Sequence, residues 1–447
     1  MEERPRVVIV GGGFAGLAAA RGLRRAPVHV TLLDRQNHHL FQPLLYQVAT
    51  AALSPANIAQ PIRKVFSRQR NVEVVMGAVT AIDTDGRVVH AGGREYHYDW
   101  LVLAAGARDS YFGHDDWRTL APPLKTIDDA LEIRRRFLAA FERAEIEPDD
   151  VSRRAALTFV IVGGGPTGVE MAGAMAELSD YTIRRDFREV DTSTARIVLV
   201  EGEGRLLGQF HPDLSEIALH DLQDLGVEVL LNSYVTGIDE RGVTVTRGDR
   251  EERIETPNIV WAAGVRASPL GAMVGETDKA GRVEVGQDLS VPGHPEALVA
   301  GDLAHVVDGR TGEEVPGMAP GAMQMGRYAA EVIDAEARAR AAGRPAPARS
   351  PFHFHDKGMM ATIGRNRAVA QLAGRRIGGM LAWLLWAGVH IFYLIGFRSK
   401  VLTMIDWAWN YVFFERGARL ITGVDAADSG ETPPPKKSTR TRRKASP

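Results

Sequence analysis

Apolar residues along this chain alternate between short unbroken runs and longer stretches at helical spacing. Val7 to Val10 is such a run, predicting a strand buried on both faces, and beyond the Gly11 to Gly16 turn an alanine-rich helix extends towards Arg25. Val28 to Leu33 predicts the next strand, ending at Asp34. Val72 to Met76 and Thr80 to Asp83 predict further strands, and Tyr98 to Ala107 a buried strand running into a turn at Gly106. Between them Pro43, Pro55 and Pro61 break Asn37 to Phe66 into loops and short helices. Leu131, Phe137, Leu138 and Phe141 recur at helical spacing in Asp128 to Ile146, a connecting helix with Arg134, Arg135 and Arg136 on its wet side.

Past a break at Glu147 to Asp150 the opening pattern returns. Ala156 to Glu177 repeats strand, glycine turn and helix, and after an insertion from Ser179 to Thr194, Arg196 to Val200 predicts the strand that ends at Glu201. Val227 to Leu231, Gly242 to Thr246 and Asn258 to Ala263 continue this unit as strands. Ala297 to Ala304 predicts a short strand entering a helix, so the first unit resumes after the second. The predicted architecture is α/β: two Rossmann-like dinucleotide-binding domains, the second inserted in the first.

The two turns carry the chemistry. Gly11, Gly13 and Gly16 stand in G-x-G-x-x-G register. The first permits the tight turn, the second lets backbone approach a pyrophosphate, and the third packs helix on strand, while the helix N–H groups face the phosphates. Asp34 falls where a carboxylate takes a ribose hydroxyl. One such turn is weak evidence, but Gly163, Gly165 and Gly168 with Glu201 complete a second set, and two are far more specific. Glu201 favours NAD over NADP, because it accepts from a free 2′-hydroxyl and repels a 2′-phosphate; nearby Arg205 softens that preference. Val79 offers backbone to an adenine, and Asp302, expected at a helix start, can take a hydroxyl of an extended dinucleotide. His38 and His39 are adjacent, and His353 and His355 alternate with Phe352 and Phe354 at strand period. Both pairs read as loop or solvent-facing histidines in preference to metal ligands.

Composition narrows the classes. The 447 residues suffice for two or three domains, and 45% hydrophobic and 25% charged content is ordinary for a globular protein. With no cysteine, disulfides, cysteine-ligated clusters and redox dithiols are excluded. Met1 to Pro5 lead into the first strand without an apolar leader, an expectation of cytoplasmic residence. The net charge of −2 hides an asymmetry: Gln371 to Pro447 holds twelve Lys and Arg against five Asp and Glu, so this end carries +7 and the remainder −9. A basic end beside apolar residues favours a lipid surface over nucleic acid. Ile377 to Gly396 is 20 residues without formal charge, matching a transmembrane, a buried or an interfacial helix. Trp383, Trp386 and Tyr393 are interfacial aromatics, and basic residues on both flanks give no orientation. Val401 to Phe414 gathers Leu402, Ile405, Trp409 and Val412 near one face. Asp425 to Pro447, with Pro433 to Pro435 and six basic residues after them, is expected to be a disordered tail.

These residues carry a resemblance. GGGFAG with Asp34, the inserted GGGPTG with Glu201, and the late Ala300-Gly301-Asp302 resemble the two-dinucleotide-binding flavoprotein oxidoreductases over roughly Arg6 to Ile363. FQPLLYQVATAALSP (Phe41 to Pro55), GGGPTGVEMAGAMAEL, DKGMMATIGR (Asp356 to Arg365) and the segment Leu394 to Ile421 are similar to the type II, non-proton-pumping NADH:quinone dehydrogenases, extending the likeness to about Gly423. Sulfide:quinone relatives share the architecture, but their chemistry needs cysteines. The resemblance implies FAD at the first turn, held by Gly11, Gly13, Phe14, Ala15, Gly16, Asp34, Arg35, Val79, Gly106, Gly301, Asp302 and Ala319. It implies NADH at the second, held by Gly163, Gly165, Gly168 and Glu201. The implied domains are 1–125 and 285–370 for FAD, 126–284 for NADH, 371–424 for membrane-associated helices and 425–447 for the tail. Also implied are menaquinone or ubiquinone as acceptor, a homodimer by family habit, and a monotopic base with both C-terminal helices in one leaflet on the cytoplasmic side of the cell membrane; a true span is the alternative.

Three residues are implied in catalysis. Glu170 would lie where nicotinamide and flavin meet and handle or position a proton. Thr167-Gly168-Val169-Glu170 also fits a capping box, which would make Glu170 a helix-start residue and no more. Lys357 would stabilise a reduced, anionic isoalloxazine, against the reading of a surface lysine before a glycine turn. The family's quinone segment resembles AQxxxQ, whereas Ala319 to Gln324 reads APGAMQ: Pro320 replaces the first Gln, leaving Gln324, backbone or water to hold the quinone. A soluble NADH-dependent flavin reductase and a non-catalytic FAD-binding membrane sensor are the alternative readings. The apolar C-terminal end opposes the first, and two intact turns oppose the second.

Overall fold

The computed structural model of the chain describes residues 4–184, 186–413 and 415–422; the tail expected from Asp425 lies outside them. The unbroken apolar runs become the central strands of parallel sheets. The first sheet has six strands in the order Ser290–Val291, His294–Val299, Trp100–Leu103, Arg6–Val10, His29–Asp34 and Val72–Met76. Val7 pairs in parallel with Val30 on one side and Trp100 on the other, and Leu101 pairs with Ala297. Val7, Ile9, Leu32, Leu101 and Leu298 are wholly buried, and each such side chain contributes about 1.5–3 kcal/mol over its exposed state.

Because strands from both sides of a long stretch interleave in this sheet, that stretch leaves the sheet and returns. It builds a second parallel sheet, Glu228–Leu230, Arg196–Val200, Thr158–Val162 and Asn258–Trp261. Ala107–Asp109 and Val265–Ala267 pair antiparallel at the two crossings, and the Trp261 indole N–H donates to the Ser110 carbonyl at 2.9 Å. These bonds set the mouths of the two sheets against each other.

Several local expectations change. The helix Ile127–Ile146 forms, with Thr126 and Asp129 capping it reciprocally, but Arg134 is buried instead of wet. It lies four residues from both Ala130 and Leu138, on the inward stripe, where its stem packs and burial lowers its pKa. Asp302 does not start a helix. Gly301 turns at φ +78°, a two-residue strand Ala304–His305 follows, and Gly309, Gly312, Pro316 and Gly317 defer the helix to Ala319–Ala341. His39 is buried in the strand His38–Leu40, its Nδ1 3.0 Å from the Gly12 carbonyl, and burial lowers its pKa to about 4. His353 and His355 lie outside any strand; His353 Nδ1 is 3.2 Å from Asp308 Oδ1, and His355 is exposed.

The uncharged stretch Ile377 to Gly396 divides. Arg375–Gly378 closes a three-stranded meander with Met359–Gly364 and Arg367–Leu372, and Gly379, at φ +69°, opens a helix of 15 residues, Gly379–Tyr393. A second helix, Phe397–Phe413, follows. Among the described residues no helix is long and apolar enough to cross a membrane.

Candidate active site

Both glycine turns are built alike. Gly11 and Gly163 adopt φ of +104° and +109°, and a Cβ on either would collide with backbone at Ala104 or Ala262. At the next residue the N–H of Gly12 donates to Asp34 Oδ2 at 2.5 Å, and that of Gly164 donates to Glu201 Oε2. The other oxygens accept from Gln36 N and Glu203 N, each at 2.7 Å. Each carboxylate is thus locked at the end of its strand, facing the turn. Gly13 and Gly165 cap helices Phe14–Gly22 and Pro166–Glu177 without any side-chain cap, and a Cβ built on either meets no atom within 4 Å. Open space over uncapped helix N–H groups, with a carboxylate beside it, fits a dinucleotide pyrophosphate and ribose. Arg205 is turned away, donating to the carbonyls of Gly208 and Phe210.

The openings of the two units meet in a cavity of about 580 Å³. Of the residues read from the sequence, Phe14, Asp302, Ala319, Glu170 and Lys357 line it, as do Pro166 and Thr167. Gly301 is wedged between the Ala15 and Ala322 side chains, each 3.4 Å from a Cβ built upon it. Gly106, at φ +64°, accepts from Ser268 N at the crossing strands; Arg35 is exposed and Val79 half-buried along the first sheet's outlet.

Glu170 is not part of a capping box: the helix begins at Gly165, and Glu170 sits one turn in, facing the cavity. Burial drives its pKa well above the usual carboxylate range, opposed only by a hydrogen bond from the Thr362 backbone. Lys357 is exposed at the rim, its Nζ 3.2 Å from the Tyr393 hydroxyl. Gln324 does not line the cavity. Its amide is spent on the His355 backbone, donating to the carbonyl at 3.0 Å and accepting from the N–H at 2.9 Å, while Pro320 does face the cavity. Gln324 is thus held by the segment that carries Lys357, beside a cavity that Pro320 enters.

The sequence reading missed Tyr46, Lys125 and His390, all of which line this cavity. Burial lowers the pKa of Lys125, with Asp302 and Asp109 opposing. Burial likewise takes His390 down to about 4; its Nδ1 lies 2.7 Å from the Trp386 carbonyl, so Nδ1 carries the proton and Nε2 is left an acceptor. A lone histidine in an otherwise uncharged apolar stretch was the available signal.

The C-terminal helices present an inverted amphipathicity. In Phe397–Phe413 the polar side faces the protein: Ser399 and Thr403 are buried, Asn57 Nδ2 donates to Asp406 Oδ2 at 2.7 Å, and Trp407 Nε1 donates to Gln47 Oε1 at 2.7 Å. Ile405, Trp409 and Val412 face outward at 57%, 52% and 63% exposure, joined by Leu381, Leu384 and Phe392 from the preceding helix. Leu402 is half-buried. Water does not favour such a face.

Comparison with known proteins agrees with this construction. A family model described as pyridine nucleotide-disulphide oxidoreductase matches residues 5–326, and one described as NDH2 C-terminal domain matches residues 356–416. The chain is 46% identical over 434 residues, 95% of its length and 92% of the relative's, to the type II NADH:quinone oxidoreductase Ndh of Mycobacterium tuberculosis. It is 28% identical to the type II NADH:quinone oxidoreductase of Staphylococcus haemolyticus, covering 85% of this chain and 93% of that one. In fold it is similar to the NDH2 of Plasmodium falciparum solved in complex with NADH, with TM-score 0.84 and 19% identity over 94% of this chain and 100% of that one. It is also similar to the sulfide:quinone oxidoreductase of Aquifex aeolicus, with TM-score 0.69 and 15% identity over 92% and 95%. The chain belongs to the pyridine nucleotide-disulphide oxidoreductase family and, within it, to the type II NADH:quinone oxidoreductases.

Proposed function

We propose that this chain oxidises NADH at its second glycine turn and reduces a membrane quinone by way of FAD held at its first, without pumping protons. The observation that carries the reading is the shared cavity, where Phe14 and Asp302 from one unit, Pro166 and Glu170 from the other, and Lys357, His390 and Tyr393 from the C-terminal part line one space. FAD bound there supplies a two-electron carrier, able to take hydride from NADH and pass electrons to quinone. In this reading residues 1–125 and 285–370 hold FAD and 126–284 hold NADH. The Gly13 and Gly165 openings take the two pyrophosphates, Asp34 and Glu201 take ribose hydroxyls, and Glu201, unopposed by Arg205, selects NADH over NADPH.

The chain's own groups then orient the reactants. Phe14 walls one side, and Asp302 offers an acceptor to a polyol chain. Glu170 offers a carboxyl whose pKa burial raises, Lys357 places a cation at the rim, and His390 Nε2 offers an acceptor towards the membrane side. Gln324 braces the segment that carries Lys357, and Pro320 leaves the quinone to these neighbours. Residues 371–424 seat the protein in one leaflet through the outward apolar face, on the cytoplasmic side where NADH is supplied. A homodimer is the assembly the family habit suggests.

The test is anaerobic. One equivalent of NADH added to the FAD-loaded protein is expected to bleach the flavin band, and a soluble menaquinone or ubiquinone analogue to restore it quickly. A flavin that NADH bleaches and quinone leaves reduced would assign the electrons to another acceptor.

A further inference from the structure

Lys125 lines the cofactor cavity with its charge unpaired. It is half-buried, and among the described residues no acceptor meets its Nζ and no donor meets the carboxylate of Asp302, which lines the same cavity. The backbone beneath it is fixed from two sides. The N–H groups of Lys125 and Thr126 both donate to Asp129 Oδ2, at 3.1 and 2.8 Å, and the Pro122 carbonyl accepts from Trp261 N at 3.0 Å. Buried Leu124 anchors the same turn in the core. We propose that the Lys125 ammonium is the counter-charge of the reduced flavin, balancing the negative charge that hydride transfer leaves on the isoalloxazine. The proposal rests on the NADH:quinone reading above, and it gives to Lys125 the part that the family resemblance implies for Lys357.

Charge balance calls for such a group. NADH gives a hydride to N5 of a neutral oxidised flavin and leaves as NAD⁺, so the ring gains one negative charge, shared by N1 and the C2 carbonyl oxygen. A cation at that end stabilises it, the more so where water is excluded. Two lysines line the cavity. Lys357 is exposed at the rim, its Nζ 3.2 Å from the Tyr393 hydroxyl, and solvent screens it. Lys125 is drawn in from solvent, where an ammonium without a partner costs stability.

The neighbours of Lys125 leave it free for a ligand. Asp109 is taken up by Arg118. Asp302 stands close enough to favour the charged form of Lys125, yet no ion pair joins the two. Opposite charges held near each other and left unjoined suit a ligand that sits between them, a hydroxyl to the carboxylate and an anionic oxygen or nitrogen to the ammonium. The other titratable groups on the cavity walls are Glu170, Tyr46, His390 and Tyr393, carried by the Pro166–Glu177, Leu45–Ala49 and Gly379–Tyr393 helices. Burial disfavours charge on Glu170 and His390 alike, so neither supplies a cation.

The test uses the full-length, FAD-loaded protein and needs neither NADH nor quinone. Lys125→Met removes the charge and keeps the stem, Lys125→Arg keeps the charge, and Lys357→Met reports on the rim. Equilibration with a redox dye is expected to show the reduced flavin of Lys125→Met disfavoured at least ~10-fold, about 30 mV for a two-electron couple, with Lys125→Arg recovering most of the loss and Lys357→Met moving the potential less. Sulfite adds its lone pair to N5 and leaves the same negative charge on the ring. Its affinity, read by bleaching, is expected to fall at least ~10-fold in Lys125→Met. Without FAD, Lys125→Met is expected to melt at or above the wild-type temperature, because a desolvated charge is gone; a lysine serving only the fold would lower it. If Lys125→Met does not hold FAD, the wild type decides: its midpoint potential is expected to change with pH as one proton per two electrons on both sides of neutrality, since N1 stays unprotonated beside an ammonium. A potential and a sulfite affinity unchanged in Lys125→Met, or two protons per two electrons at neutral pH, overturn the assignment. NADH affinity that falls while both of those stay at wild type places Lys125 on the nicotinamide dinucleotide and overturns it too. A wild-type flavin that NADH fails to bleach or quinone fails to reoxidise overturns the parent reading instead, since neither reagent enters the dye and sulfite titrations.

Discussion

Gly11 and Gly13 stand two residues apart in one turn and respond oppositely to a side chain. Gly11→Ala forces an L residue to φ +104° against the Ala104 carbonyl and is expected to cost about 2 kcal/mol or more in the thermal melt of the apoprotein. Gly13 has an ordinary φ of −76° and open space beside it, so Gly13→Ala is expected to leave that melt within ~0.5 kcal/mol of wild type yet purify with little flavin. The carboxylates divide similarly. Glu201→Gln keeps an acceptor for the ribose but loses the charge, and about tenfold in kcat/KM for NADH is expected to go with it, the NADH to NADPH ratio falling in parallel. Two histidines, His39 buried and His390 half-buried, contribute to acid stability. His39 and His390 titrate near 4 in the fold against about 6.5 unfolded, so the unfolded chain binds more protons between those values. Their neutral forms support the fold fully above pH 6.5, and that support is lost as pH falls towards 4, on the order of 3 kcal/mol for each group. Melting temperature is expected to drop through this window, with a shallower slope in His390→Leu.

At the scale of elements, the Phe397–Phe413 helix shows how much a sequence pattern can say. The grouping of Leu402, Ile405, Trp409 and Val412 was readable; which side faced the protein was not, since an amphipathic pattern looks the same whichever way it is turned. Asn57, Gln47 and Gln60, all far away in sequence, decide it by bonding the polar side. Ile405→Glu with Trp409→Glu leaves those bonds intact and is expected to release the protein from anionic vesicles, the bound fraction falling at least ~10-fold while NADH still bleaches the flavin. Co-sedimentation with vesicles checks it, and binding unaffected by both charges would place the membrane contact elsewhere. The parallel strands were legible for a plainer reason: runs such as Val7 to Val10 and Ile197 to Val200 are buried on both faces, so continuity of apolar residues defines them. Arg134 and the turn after Asp302 were not, because a long cationic stem can pack inward and because a strand end gives no count of the loop behind it.

For the whole molecule, the two nucleotide turns were legible because each is local, a strand, six residues and a helix, closed by a carboxylate about twenty to forty residues on. The cavity between them was not, since Tyr46, Lys125, Glu170, Asp302, Lys357 and His390 come together only when the inserted sheet returns to the first and the C-terminal helices close over both. That same closure places the apolar face and the cofactor cavity on one C-terminal wall, which His390 and Tyr393 line from within. In the proposed function, electrons from NADH leave through this wall into a membrane. The most direct measurement is NADH oxidation by the FAD-loaded protein mixed, under anaerobic conditions, with vesicles that contain or lack a long-chain menaquinone or ubiquinone confined to the bilayer. Sustained turnover is expected only with quinone-bearing vesicles, ending when the quinone pool is reduced, one NADH to one quinol. Turnover that proceeds equally well with quinone-free vesicles, or that stops after a single flavin reduction in the presence of bilayer quinone, would contradict it.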